Sequence, residues 1–242
     1  MGVVFKHFGI EVDGSGLPSS DQKQYESTVG ATINILTTSV VTQAVFYRIR
    51  RFGRVKIIPY NNASDLAKYG VCNALAVGDG DESAHDGWLY GLQGHVTVRY
   101  SPNTWINNPG CSNGPGFRYQ DILLHELVHA ARFLGSDHVF NNDFNFYWAI
   151  NPTLLGYENQ EEFIAILLTN IYMSETGQKT LRLDHGSTQH PASMNGSSEF
   201  LSNGENLKVI REFCRQHNEI APMIAKSTAP FNPIRAFYET QN

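Results

Sequence analysis

Apolar positions recur every three or four residues from about Ser19 to Ser39, where Tyr25, Val29, Ile33 and Leu36 share one face. This spacing predicts a helix, weakened by Gly30. A second helix is expected from Val41 to Arg51, ending at Gly53 as helices often do. Strands are expected at 3–12 (VVFKHFGIEV), Arg54 to Tyr60 (RVKIIPY) and Gly94 to Tyr100 (GHVTVRY). Asp13-Gly14-Ser15-Gly16 forms a turn after the first strand, and Asn61-Asn62 closes the second. From about 61 to 92 the chain is rich in Gly and Asp and carries no readable period. Residues 101–117 (SPNTWINNPGCSNGPGF) read as a loop, and a loop of that length in a compact domain is usually functional. Two helices follow at about 119–134 and 158–174, then one near 205–217 and another near 219–226. With no internal repeat or Ser/Gly linker, the simplest organisation is one domain over 1–242. Its strands lie in the part up to about 117, and 118–242 is helical.

The helix at 119–134 is apolar almost all round. Leu123, Leu124, Leu127, Val128, Ala131 and Leu134 form its back, and the remaining stripe holds Ile122, His125, Glu126, His129 and Phe133. Such a helix is buried, and burying two imidazoles and a carboxylate without partners costs several kcal/mol or so. A bound cation removes that cost. Residues 125–129 read His-Glu-Leu-Val-His. Positions i and i+4 lie about 40° apart on a helix, so both rings can chelate one ion, and Glu126, about 60° from His129, can reach a water on it. Zinc in a catalytic site takes three protein ligands and a water. A third histidine in the metzincin pattern requires Gly at 132 and His at 135, but the chain has Arg132 and Gly135. His138, beyond the helix end, is a weak candidate. The better one is in the next helix, Glu158-Asn159-Gln160-Glu161-Glu162-Phe163-Ile164-Ala165. Glu162 is favoured over Glu161, which sits where an acid stabilises a helix start.

Net charge −5 and pI about 6.0 argue against a broad basic face for nucleic acid. One local cluster runs the other way: Arg48, Arg50, Arg51, Arg54 and Lys56 read as a solvated helix end, with docking of an acidic partner as the other reading. Cys72, Cys111 and Cys214 form no C-x-x-C pair, so at most one bridge can form and one thiol is left over. The start of the chain has too short an apolar run for a secretory signal, and Lys6 stands where myristoylation needs Ser or Thr. No stretch reaches 18 apolar residues, so stable membrane insertion is not expected. Export, if it occurs, uses another route, or this is a domain of a longer chain.

His125-Glu126-x-x-His129 with a downstream Glu162-Phe163-Ile164-Ala165 resembles the gluzincins, whose third zinc ligand is a glutamate from a later helix. The E-x-x-A form with a nearby tyrosine, here Tyr157, is similar to the catalytic domain of anthrax lethal factor, although the tyrosine's spacing differs by a couple of residues. The stretches LLHELVHAARFLG and EEFIAILLTNIYMSE also look like bacterial effector peptidases, both type VI spike-fused domains and type III effectors. The resemblance covers about 120–185. It implies an α+β, zincin-like fold, with a small antiparallel or mixed sheet, an edge strand above the metal helix and a mostly helical C-terminal part.

The activity implied is that of a zinc (Zn2+) endopeptidase with Glu126 as general base. The oxyanion is held by Tyr157 or, second, by His185 beside Asp184, with His190 behind them. The strand Gly94–Tyr100 is then the edge strand that pairs with substrate backbone. Cys111 is a candidate cap on the zinc in a latent form. The partners implied are a protein or peptide substrate and an immunity protein or secretion-apparatus component. The implied location is outside the producing cell or inside a target cell. Two rivals stand beside this reading: a non-catalytic zinc module closed by a fourth ligand such as Cys111 or His138, and a metal-free scaffold.

Overall fold

The computed structural model describes residues 2–78, 94–112, 114–135, 157, 160–182, 189–191 and 194–241. It is α+β, with a small mixed sheet and a large helical content, and it divides into two compact units.

The first unit is built on a five-stranded sheet ordered β1-β2-β3-β5-β4, from β1 (Val3–Phe5), β2 (Ile10–Val12), β3 (Arg54–Ile58), β4 (Leu75–Gly78) and β5 (His95–Arg99). β2, β3 and β5 run parallel, and β1 and β4 pair antiparallel at the two edges. In this register Ile10, Val55 and Val96 form one row and Val12, Ile57 and Val98 the next, all buried. Alternation along each strand thus gives the sheet one dry face. The helices of this unit are α1 (Ser19–Leu36), most of α2 (Val40–Phe52), α3 (Ala63–Tyr69), α4 (Pro102–Asn107) and α5 (Tyr119–Leu134). α5 packs on β4 and β5 and against α1 and α4. The α1 residues named from the spacing, Tyr25, Val29, Ile33 and Leu36, are all buried. Gly30 has a packing reason to be there, since a Cβ would lie 3.2 Å from the ring of Phe5.

Four expectations are corrected in this unit. Residues 3–12 are a hairpin and not one strand: the chain folds back through Gly9, whose φ of 69° is open to glycine, so that β2 can pair with β3. Residues 101–117 are not all loop. Pro102 opens α4, whose Trp105 stacks on Tyr100 with centroids 5.7 Å apart, and Asn108 caps a 3-10 turn at Pro109–Cys111. Composition hid a helix held by one aromatic anchor. β5, expected at an edge, lies inside the sheet between β3 and β4, because the unassigned stretch before it supplies the edge strand β4. Arg48 is not solvated. It is 3% exposed, its Nε donates to the Ala131 carbonyl at 3.2 Å, and its guanidinium lies 4.7 Å from the Phe52 ring centroid. The bond satisfies a carbonyl in the last turn of α5.

The second unit is mostly helical: α6 (Gln160–Glu175), α7 (Met194–Ser202), α8 (Gly204–Gln216), α9 (Ala221–Ala225) and α10 (Pro233–Glu239), with a ribbon of β6 (Thr180–Arg182) and β7 (Gln189–Pro191). Thr37–Ala44 and Gly114–Gly116 belong to it. α6 is buried all round from Phe163 to Ser174. Its polar residues are tied to backbone. Asn170 donates to the Arg182 carbonyl at 2.8 Å and accepts from the Arg182 N–H at 3.0 Å, and Ser174 accepts from the Phe231 N–H at 2.8 Å. Sequence spacing located α8 and α9 within a few residues but missed α7, whose first turn holds Asn and Gly, and α10, which Asn232 and Pro233 start.

Candidate metal centre

α5 occupies the span its periodicity predicts, and local chemistry fixes its first turn. Arg118 clasps Asp121 with two bonds, Nε to Oδ2 at 2.8 Å and Nη2 to Oδ1 at 2.6 Å, and Tyr100 Oη donates to the Tyr119 carbonyl at 2.8 Å. Asp121 is fully buried at the positive end of the helix dipole. This anchor was missed from sequence, although an Arg and an Asp three apart at a helix start are its signal. Further along the helix Leu123, Leu124, Leu127 and Val128 lie in the core.

The three residues of the H-E-x-x-H segment expected to carry chemistry are buried in this helix: His125 is 3%, Glu126 8% and His129 7% exposed. The two histidines turn their Nε2 atoms toward each other at 3.1 Å, with ring planes at 81°. His129 is backed by Phe133, centroids 6.3 Å apart and planes at 22°. Glu162, in the first turn of α6, is half-buried. His125, His129 and Glu162 each bring one ligand atom to within 4.8 Å of the other two. Glu161, the alternative ligand, is not in that group.

The donor set fits a divalent transition metal. Two nitrogens at ordinary bond lengths on a tetrahedral zinc stand about 3.3 Å apart, close to the spacing of the paired imidazoles. Two imidazoles and one carboxylate are also the mixed nitrogen–oxygen set that zinc takes in hydrolytic sites.

The remaining candidates separate. Tyr157 is buried, its ring edge-on to Phe163 with centroids 4.9 Å apart. His190 falls on β7, while His138 and His185 lie outside the described residues. Cys111 is corrected: it is joined to Cys72 in a disulfide, which withdraws its sulfur from any metal. Sequence allowed one bridge but could not choose among three pairings. The thiol left over, Cys214, is buried, and burial pushes its pKa up to about 12, which disfavours the thiolate. No family model, curated protein or solved structure matches the chain.

Proposed function

We propose that this chain is a zinc-dependent endopeptidase of the gluzincin kind, the hydrolytic domain of a bacterial effector or toxin that works outside the cell that makes it. The observation that carries the reading is the convergence of His125, His129 and Glu162 with Glu126 next in the chain to one of the ligands. Bound there, zinc lowers the pKa of a coordinated water toward about 7 and polarises a carbonyl oxygen.

The protein's own groups do the rest. His125 and His129, held in a buried helix, would be two of the metal's ligands, and Glu162 would be the third. Glu126 accepts the proton of the attacking water on its carboxylate and hands it to the nitrogen of the departing amine. Tyr157 is the donor assigned to the oxyanion, with His185 second. Among the described residues β4 is the edge strand beside α5, and it replaces the interior β5 as the strand assigned to an extended substrate. Cys72 is an exposed half of the disulfide, and bridges of that kind persist in oxidising compartments, which supports work outside the cytosol. The rival non-catalytic zinc module needs a fourth protein donor, and Cys111 is not available to it.

The deciding experiment measures zinc content and peptide cleavage together in the wild type and in Glu126→Gln. Zinc near one per chain in both, with cleavage only in the wild type, supports the proposal. A protein that binds no zinc, or a variant that still turns over, ends it.

A further inference from the structure

The first unit carries a patch of positive charge that the metal centre does not use. The parallel strands β2, β3 and β5 all start at the same end of the sheet, where the Val55 N–H donates to Gly9 at 2.9 Å and the Arg54 N–H to Gly94 at 2.8 Å. The turn between β1 and β2 meets the end of α2 there: the rings of Phe8 and Phe46 lie 4.7 Å apart with planes tilted by 32°, and a Cβ on Gly9 would lie 3.3 Å from the Arg50 Cα. Lys6 and His7 from the turn, Arg50 and Arg51 from α2, Arg54 from β3 and His95 from β5 are all exposed at this end. Among the described residues, 2–10, 40–58 and 94–101 hold no Asp or Glu, and the exposed Glu11 stands further along β2, opposite Lys56, in a chain whose net charge is −5.

Exposed rings are interleaved with the cations. Tyr47 is 42% and Phe52 39% exposed. Arg51 donates to the Tyr47 hydroxyl at 3.1 Å and lies 5.6 Å from the Phe52 centroid, so its guanidinium is held in place by aromatic neighbours. Cations with solvent-facing aromatic rings are the composition that sits at a lipid headgroup layer.

We propose that this end of the sheet docks on a bilayer that carries anionic phospholipid. The net negative charge of the chain decides between this and a soluble polyanion. Screening limits each charge to about 8 Å at physiological salt. A flat anionic surface touches only the face turned toward it, whereas a long flexible polyanion is carried past the patch onto the acidic remainder. Cations near such a surface contribute about a fivefold gain in partition each, and the rings add apolar burial.

The test is co-sedimentation of the whole chain with vesicles of phosphatidylcholine alone and of phosphatidylcholine with phosphatidylserine as about one third of the lipid. The expected result is binding to the second only, weakening steeply as salt rises. The triple variant Lys6→Ala, Arg50→Ala, Arg54→Ala lowers the partition about 100-fold, with an unchanged thermal melt because all three side chains are exposed. The pair Lys208→Ala, Arg211→Ala on exposed positions of α8 removes charge elsewhere and leaves binding as it was. Absence of binding by the wild type at low salt overturns the proposal, as does a triple variant that binds as well as the wild type or an α8 pair that loses as much. Tighter retention on polyglutamate or duplex DNA than on the vesicles also overturns it, since the patch would then serve a soluble polyanion.

Discussion

α5 and α6 are both sixteen-residue helices, both buried nearly all round, and both interrupt their apolar surface with polar side chains. The polar groups differ in what they serve. In α6, Asn170 and Ser174 bond to backbone amides of other segments, so they are part of how the unit is folded. In α5, His125 and His129 point at each other over 3.1 Å with Glu126 beside them, an arrangement that burial alone would penalise. Buried polarity that answers a backbone group is structural. Asp121, clasped by Arg118, is structural in the same way, whereas His125 and His129 converge with Glu162 in a set that could hold a metal ion.

The sharpest way to break that contrast is Glu126→Gln. If the polar stripe of α5 serves chemistry, cleavage falls by about 10²–10⁴-fold, the range for a positioned general base. Zinc content and melting temperature stay at the wild-type value, because the amide has the shape of the acid and is no ligand. A large loss of stability with modest loss of turnover would instead place Glu126 with Asn170, among the groups that the fold requires.

Glu162 tests the other helix, since it is the one polar residue of α6 assigned to the metal. Glu162→Ala is expected to weaken zinc binding by more than about 100-fold, the upper end of what is lost for groups one bond further from the ion. Metal titration by calorimetry checks it. The zinc-free protein should melt within a few degrees of the wild type, because a half-buried first-turn acid contributes about 0.3–1 kcal/mol through the helix dipole. Unchanged affinity would move the third ligand to another residue.

Asn170→Ala is the structural counterpart. It leaves the buried N–H and C=O of Arg182 without their partner and is expected to cost about 2 kcal/mol in chemical unfolding. Zinc affinity of the folded protein should be unaltered. The two substitutions together would then separate α6 into an end that serves the metal and a middle that serves the fold.

The same distinction explains what could be read from the chain. α5 was legible to its last residue because a strong 3.6 period, an H-E-x-x-H core and a Gly135 stop all agree. Glu162 was legible less directly, since an acid in a first turn has an ordinary explanation. β4 was not, because Leu75-Ala76-Val77-Gly78 is too short to show alternation and owes its existence to pairing with β5. Nor was the Cys72–Cys111 bridge, which joins residues 39 apart through tertiary structure alone. Arg48 was misread for a related reason. Its partner is a carbonyl 83 residues away, and no local pattern signals it.

The smallest effect concerns a charge that serves neither metal nor core. Asp13, just after β2, accepts from Lys56 Nζ at 2.7 Å and from the Ser15 N–H at 2.9 Å. The bond from Lys56 above all, then that from Ser15, lowers its carboxyl from 3.8 to about 2. A carboxylate depressed in this way adds stability that is present above its unfolded value, near 3.9, and is lost as pH falls through about 2. Lys56 is half exposed, so the contribution is held to about 1 kcal/mol or less. Asp13→Asn should therefore unfold slightly earlier in urea than the wild type at pH 7, and the two curves should converge as the solution is acidified below about pH 2. A gap that stays constant with pH would mean that Asp13 acts through the Ser15 turn, which an asparagine preserves in part, and not through its charge.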